Sequence, residues 1–444
     1  MCGIFAIYSQ KYTNNNIKNL LFAMKKLQHR GKDGYGLSIN DRNNILTTIK
    51  KKGEIYNNFK NCIDIQKKSK SCIGHLRYST SGLSIQSGKI QYNEIQPLIG
   101  NINDKNYVLC HNGNIPNIKD HDTTYINKKI MKIDNSFTEN LITIMNEIPA
   151  AFSIVILIDN ELYAMRDRFG IRPLCIGKKN EDYYISSESV AFANDINYIR
   201  DVKPGEIIKI NNEGITTLYT HPKAKLGLCL FEILYFLNEN SFTDGMYIKN
   251  IRKQLGKIMA TKDSEFNSNN LYTVIGIPLT GICSGKSYAN ELNLKYEQLI
   301  TKNKNVSRSF IAITDEERKE ICKKKFLYDI EKIKDKKLII IDDTIVRGNV
   351  IKSIINNLRK YGATEIHIRI PAPPIIDICE LGICIKSKNE LIMNNNTTEG
   401  VSKEINANSL KYLSLNELQN IPPYSYNQCF SGHIDNSIKS YKQN

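Results

Sequence analysis

The chain has 444 residues, 61 Lys and Arg against 45 Asp and Glu, and a formal net charge of +16. That length suits two domains, each able to bury its own core. No apolar run reaches the length of a membrane span, and no cleavable leader is expected. The basic balance invites a nucleic-acid reading that the text does not support. Lys, Asn and Ile are abundant everywhere, and runs such as Lys50-Lys51-Lys52 and Lys323-Lys324-Lys325 read as solvated faces. No zinc finger, basic helix or aromatic RNA-binding signature accompanies them. A basic surface also suits a polyanionic small substrate.

The sequence opens Met1-Cys2-Gly3-Ile4. Trimming of Met1 leaves Cys2 with a thiol nucleophile and, in its own α-amine, an adjacent base. From these residues alone the thiol reads equally well as a chance cysteine in an apolar first strand. Strands are predicted at Ile4–Tyr8, Ser71–Gly74, Tyr107–Cys110, Phe152–Ile158 and Glu161–Arg166, where β-branched and aromatic runs are punctuated by Gly, Asn and Asp. Helices fit 17–28 and 139–146. The short polar text around Thr220–Gly227 reads as a linker. Beyond it, predicted strands at Leu271–Ile277, Lys337–Ile341 and Glu365–Ile370 alternate with loops and helices, one of them Ile351–Tyr361. That alternation predicts a parallel sheet with ligand at the strand C-terminal ends. Residues 436–444 read as a polar tail. The eleven cysteines show no dense framework and are expected as reduced thiols.

A cysteine that attacks an amide needs donors for the oxyanion and an anchor for the substrate. After a predicted strand, His111-Asn112-Gly113 turns sharply, so the Asn112 amide and the Gly113 N–H can face one oxygen. Arg77, in Gly74-His75-Leu76-Arg77-Tyr78-Ser79-Thr80, can hold a carboxylate through its planar fork. Singly, these are an ordinary hairpin turn and a surface charge. Together with Leu27-Gln28-His29-Arg30-Gly31, Gln96-Pro97, Arg166-Asp167-Arg168-Phe169-Gly170-Ile171-Arg172-Pro173-Leu174 and Ser186-Ser187-Glu188-Ser189, the set resembles the class II glutamine amidotransferase domain, an N-terminal-nucleophile glutaminase.

The resemblance implies an αββα sandwich over 2–222. In it Cys2 attacks glutamine, Asn112 and Gly113 form the oxyanion hole, and Arg30, Arg77 and Thr80 bind glutamine. The family's Asp for the glutamine α-amine is Phe137 here, in Ser136-Phe137-Thr138-Glu139, and Asp134 is the substitute acid.

In the second half, Leu338-Ile339-Ile340-Ile341-Asp342-Asp343-Thr344-Ile345-Val346-Arg347-Gly348 feeds an apolar strand into two acids and a turn. Two carboxylates at a strand end can accept from ribose hydroxyls, and the following N–H groups can cradle a phosphate. The pair alone reads equally well as solvated acids. With Cys229-Leu230-Phe231-Glu232 and Tyr235-Phe236 as opening strand, Pro278-Leu279-Thr280-Gly281 as pyrophosphate loop and Lys302–Ile311 as closing loop, it resembles the phosphoribosyltransferase signature as found in amidophosphoribosyltransferases. Arg318, Lys325 and Pro373-Pro374-Ile375 fit the same pattern.

That resemblance implies a parallel-sheet α/β domain over 223–435. It implies binding of phosphoribosyl pyrophosphate by Thr280, Gly281, Lys302, Lys304, Arg308, Lys325, Asp342, Asp343, Thr344, Arg347, Gly348 and Asn349. Magnesium would sit at Asp342 and Asp343, or be reached by them only through the substrate. The reaction implied is glutamine-dependent formation of 5-phosphoribosylamine, the first committed step of purine synthesis, in a cytoplasmic homo-oligomer (dimer or tetramer) inhibited by purine nucleotides. The departures are Leu279 for an acid, Asn349-Val350 for two threonines, Asn305 for Tyr and Lys304 for Arg. With Phe137 they keep open an alternative, a regulatory paralogue that binds phosphoribosyl pyrophosphate or nucleotides without turnover.

Some members hold an iron–sulfur cluster on four cysteines. Cys229, Cys379 and Cys429 match, but the fourth position is Tyr426, so no cluster is expected unless Cys384 compensates. Gly281-Ile282-Cys283-Ser284-Gly285-Lys286-Ser287 imitates a Walker A loop with the wrong glycine spacing. Asparagine synthetases lack support because no Ser-Gly-Gly adenylation loop is present, and glucosamine-6-phosphate synthases because the chain is too short for two sugar-isomerase domains.

Overall fold

The computed structural model describes residues 1–55, 67–79, 82–116, 118, 121–131, 136–148, 150–303, 325–379, 381, 385, 387–418 and 426–434. The first half is two antiparallel sheets face to face. The seven-stranded sheet runs, in spatial order, Asn197–Asp201, Cys175–Lys179, Asp182–Ser186, Gly3–Thr13, Ser69–Arg77, Gly34–Asp41, Leu46–Lys52. The six-stranded sheet runs Gly214–Thr220, Glu206–Asn211, Glu161–Arg166, Ala151–Ile158, Lys105–Asn114, Leu98–Ile102.

The alternation of side chains along a strand explains the layering. Ile4, Ala6 and Tyr8 point between the sheets, where Val108, Cys110, Val155 and Leu157 meet them. Phe5 and Ile7 point outward, under Leu20, Leu21 and Met24 of the helix Asn15–Lys26. Ile154, Ile156 and Ile158 face the other way, under the helices Asp122–Met131 and Phe137–Glu147. The result is the expected αββα sandwich.

The second half is a five-stranded parallel sheet ordered Lys295–Tyr296, Tyr272–Gly276, Lys337–Ile341, Glu365–Ile370, Ser409–Tyr412. Its central strand, Leu338–Ile341, is wholly buried, as a strand covered on both faces should be. The helices Ile248–Thr261, Gly281–Glu291 and Asn349–Lys360 flank the sheet's strands in sequence.

Two expectations change. Residues 229–236 do not form an opening strand; apart from a single bridge of Cys229 to Tyr426, Glu232–Phe236 is a π-helix. The proposed linker is not loose, because Lys225 N and Gly227 N donate to Arg168 O and Phe169 O, at 3.2 and 2.6 Å. The core of the second half also takes in Met1, Ala151, Phe169 and Ile171 from the first. The tail 436–444 lies outside the described residues.

Candidate active site

Cys2 precedes the central strand of the seven-stranded sheet and is 6% exposed. Its backbone N donates to Asn112 Oδ1 at 2.9 Å. Because that nitrogen can only donate, the amide orientation is fixed, and Asn112 Nδ2 is left buried with no partner among the described residues. A spare buried donor is costly unless a ligand meets it. Gly113 is required sterically, since a Cβ there would lie 2.3 Å from both Ala151 O and His111 Nε2. Tyr78 N donates to Cys2 Sγ at 3.5 Å, and Ser79 N is held by Asp33 Oδ2 at 2.7 Å. Thiol and amide therefore converge as the sequence suggests, but His111-Asn112-Gly113 does not turn: it continues the strand Lys105–Asn114, paired to Ser153 and Phe152 of the next strand.

Arg77 is buried and its fork is engaged. Nη2 donates to Glu94 Oε2 at 2.7 Å, and Nη1 to Glu94 O at 3.0 Å and to His121 Nε2 at 2.8 Å. Since arginine only donates, His121 is neutral with its proton on Nδ1, facing Thr124 Oγ1 at 3.1 Å. Burial lowers the His121 pKa to about 4, so that state holds at neutral pH. Glu94 also accepts from Leu83 N at 2.6 Å, which ties Arg77 to the far end of the loop after Tyr78. Sequence reasoning missed Glu94 and His121; Glu94 stands just before the Gln96-Pro97 pair.

Arg30 occupies another place than the one expected. Its Nε donates to Cys2 O at 2.8 Å, and its two Nη atoms meet Glu188 Oε1 at 2.6 Å and Glu232 Oε1 at 3.0 Å, all without solvent exposure. It braces the Cys2 carbonyl. Phe137 packs against the apolar cluster beneath its own helix. It follows the Ser136 cap, and its ring packs edge-on against Tyr163 at 5.0 Å and lies 6.2 Å from Tyr107. Thr80 and Asp134 lie outside the described residues.

In the second half Asp342 and Asp343 follow the central parallel strand. Asp343 N donates to Asp342 Oδ1 at 2.9 Å, Thr344 Oγ1 to Asp343 Oδ2 at 2.8 Å, and Thr280 Oγ1 to Asp343 Oδ1. Burial first, then Asp343, pushes the Asp342 carboxyl well up, while the charge of Lys325 pulls it back. Gly281 admits no side chain, since a Cβ would lie 2.2 Å from Ile341 O. Gly348 has φ +75° and starts the helix Asn349–Lys360, leaving that helix end to backbone N–H groups.

Arg347 is paired with Glu390, Nε to Oε2 at 2.8 Å. Lys302 ends the strand Ile300–Lys302, and Asn303 N donates to Lys325 O at 2.9 Å. The structure so brings together Thr280, Gly281, Asp342, Asp343 and Thr344 directly, with Lys325 in electrostatic reach. Leu279 is 64% exposed and Val350 packs on the core. Lys304, Asn305, Arg308 and Arg318 lie outside the described residues.

Cys229, Cys379 and Cys429 converge on Tyr426. Burial and then its neighbour Cys379 raise Cys229 to about 12, and Cys429 is also pushed up. The Tyr426 hydroxyl donates to Gln428 Oε1. Three thiols and a phenol do not match a four-thiolate set, and no metal-holding group of His, Cys, Asp and Glu occurs among the described residues. Cys384 lies outside them. None of the described helices is long and apolar enough to cross a membrane.

Comparisons with known proteins match both halves of the chain. A family model for a glutamine amidotransferase domain matches residues 83–194, and one for a phosphoribosyl transferase domain matches 246–373. An amidophosphoribosyltransferase of Methanocaldococcus jannaschii is 32% identical, over 94% of this chain and 93% of its own length. One from Bacillus subtilis is 30% identical, over 94% and 88%. The solved glutamine phosphoribosylpyrophosphate amidotransferase of B. subtilis, complexed with ADP and GMP, superposes with a TM-score of 0.85 at 28% identity, covering 97% of each chain.

Proposed function

We infer how two sites share one reaction in this chain, which belongs to the amidophosphoribosyltransferase family. It is a pentosyltransferase of purine biosynthesis that moves the amide nitrogen of glutamine onto phosphoribosyl pyrophosphate. The observation that carries the residue-level reading is the Asn112 amide, whose Oδ1 takes the Cys2 nitrogen while its Nδ2 stays spare. We assign residues 2–222 to the glutaminase, 223–435 to the phosphoribosyltransferase and 436–444 to a polar tail.

With Met1 removed, the Cys2 α-amine takes the thiol proton as sulfur attacks the glutamine amide carbon. The oxyanion is met by Asn112 Nδ2 and Gly113 N. Collapse to a thioester expels ammonia, and water releases glutamate. Arg77 and Thr80 hold the glutamine carboxylate, Asp134 is the substitute acid for its amine, and Arg30 steadies the Cys2 carbonyl. Ammonia then crosses an internal path and attacks the anomeric carbon, and pyrophosphate leaves to give 5-phosphoribosylamine.

Asp342 and Asp343 accept from the ribose hydroxyls. Thr344, Arg347, Gly348 and Asn349 cradle the 5′-phosphate, and Thr280, Gly281, Lys302, Lys304, Arg308 and Lys325 surround the pyrophosphate. The adjacent buried carboxylates, with Asp342 pushed up by burial and by Asp343, fit magnesium held at or near them. Magnesium would offset the charge of the leaving group. The thiol set around Tyr426 does not fit an iron–sulfur cluster, and no step runs through one. Purine nucleotides as feedback inhibitors, a cytoplasmic location and a homo-oligomer complete the reading.

The test is glutamate release by purified protein, with and without phosphoribosyl pyrophosphate and magnesium, beside Cys2→Ala. Release stimulated by phosphoribosyl pyrophosphate and abolished in Cys2→Ala supports the reading. No product from glutamine or from ammonia supports the regulatory paralogue instead.

A further inference from the structure

The π-helix Glu232–Phe236 is held at each end by the first half. Glu232, fully buried, accepts from Arg30 Nη2 at 3.0 Å, and Arg30 Nε donates in turn to Cys2 O at 2.8 Å. Just past the helix, Asn238 N and Ser241 Oγ donate to Glu188 Oε2 at 2.8 and 2.7 Å, and Glu188 Oε1 takes the other arm of Arg30. Phe236 lies edge-on to Tyr78, the residue whose N–H meets the Cys2 thiol, at 6.2 Å between ring centroids.

From the second half, Arg252 hydrogen-bonds the same helix. Arg252, 4% exposed on the helix Ile248–Thr261, donates through Nε and Nη2 to Ile233 O at 3.2 and 3.0 Å, and through Nη2 to Leu237 O at 2.7 Å. The other end of this connection is the substrate loop. Ser284 Oγ donates to Arg252 O at 2.9 Å, and Ser284 belongs to the helix Gly281–Glu291, which begins at the Thr280-Gly281 loop beside Asp343. The two helices touch through backbone: a Cβ on Gly256 would lie 2.3 Å from Ser284 O. Backbone packed on backbone has no side chain to yield, so a shift of one helix moves the other.

We propose that Arg252 is a positioning residue that couples the two sites, holding the π-helix so that occupancy of the phosphoribosyl pyrophosphate loop is felt by Arg30, Tyr78 and the Cys2 thiol. This rests on the two-site reading above. The series runs from Thr280-Gly281 through Ser284 and Arg252 to Ile233 and Leu237, then through Glu232 and Phe236 to the nucleophile. It is contiguous, and every link is a buried hydrogen bond, a backbone contact or a ring contact.

The test measures three rates on wild type, Arg252→Gln and Arg252→Lys: glutamate release without phosphoribosyl pyrophosphate, the same with it and magnesium, and phosphoribosylamine formation from ammonia. Arg252→Gln is expected to cut the stimulation ratio about tenfold, within the usual span of coupling between sites, while changing the ammonia reaction by no more than about twofold. Arg252→Lys, which keeps a donor for the two carbonyls, should recover part of the ratio. Ser284→Ala removes one link with little risk to folding and should lower the ratio about threefold. An unchanged ratio in folded Arg252→Gln, or in Ser284→Ala should Arg252→Gln fail to fold, overturns the proposal. A wild type that makes product from ammonia but shows no stimulation also overturns it, and a wild type that makes no product overturns the reading beneath it.

Discussion

Asn112→Ala separates the two half-reactions. The side chain is fully buried, accepts from Cys2 N at 2.9 Å and, in the proposed mechanism, offers its spare Nδ2 to the oxyanion. Truncation leaves Gly113 N as the remaining donor. Loss of one oxyanion donor costs about 10²–10³ in kcat, or about 3–4 kcal/mol of transition-state stabilisation. The Cys2 amine also loses its acceptor, so the upper end of that span is expected. Stability should fall by only about 1–2 kcal/mol, the cost of one buried hydrogen bond. The assay follows glutamate release at saturating glutamine, with ammonia-dependent phosphoribosylamine formation as control. A fall of less than about tenfold, or an equal fall of the ammonia reaction, would refute an oxyanion role for this amide.

Three further outcomes follow from the buried polar groups. Glu94→Gln leaves Arg77 buried without its charged partner, which costs about 3 kcal/mol of stability and should raise the glutamine KM about tenfold with the ammonia reaction intact; an unchanged KM argues against Arg77 as the carboxylate anchor. Asp201 faces Asp244, Arg166, Tyr198 and Thr243, and burial followed by repulsion from Asp244 raises it to about 6. The folded state therefore binds a proton that the unfolded chain has released, so stability declines as pH rises from about 4 to 6, by up to about 3 kcal/mol. Asp201→Asn should flatten that decline in denaturant titrations across pH 4–7, and an unchanged slope refutes the assignment. Tyr426→Cys supplies a fourth thiol beside Cys229, Cys379 and Cys429. After anaerobic reconstitution it should hold about four irons per chain where wild type holds none, and a wild type that reconstitutes equally would mean another ligand is present.

Much of the first sheet was legible because its strands alternate cleanly: Ile4, Ala6 and Tyr8 against Phe5 and Ile7 give two faces before any partner is known. The acid pair after Leu338–Ile341 was legible for a similar reason, since polar text directly after a fully apolar strand marks its carboxyl end. Residues 229–236 misled because a short apolar, aromatic run carries no period that separates strand from helix. The π-helix is held by Arg252 on the Ile233 carbonyl and on that of Leu237 just past its end, and by Arg30 on Glu232, partners distant in sequence. Arg30 itself lies in a motif yet turns its charge to Glu188 and Glu232, and no local pattern reports which way a guanidinium points. Phe137 shows the same limit: the helix expected over 139–146 starts at Phe137 behind the capping box of Ser136 and Glu139, and the packing of that ring on Tyr163 depends on the sheet beneath.

The strand Gly3–Thr13 is made first and enclosed late. Its neighbours in the sheet are Ser69–Arg77 and Asp182–Ser186, and Met1 ends in one cluster with Leu228–Leu237, its α-amine lowered to about 5 by burial. Translation at about 5–20 residues per second leaves on the order of ten to forty seconds before the second neighbour emerges. During that interval the amino terminus is open to an aminopeptidase, and afterwards it is shut inside the protein. Strand order thus sets how long Met1 stays reachable, and on the proposed mechanism its removal would have to precede closure of the core.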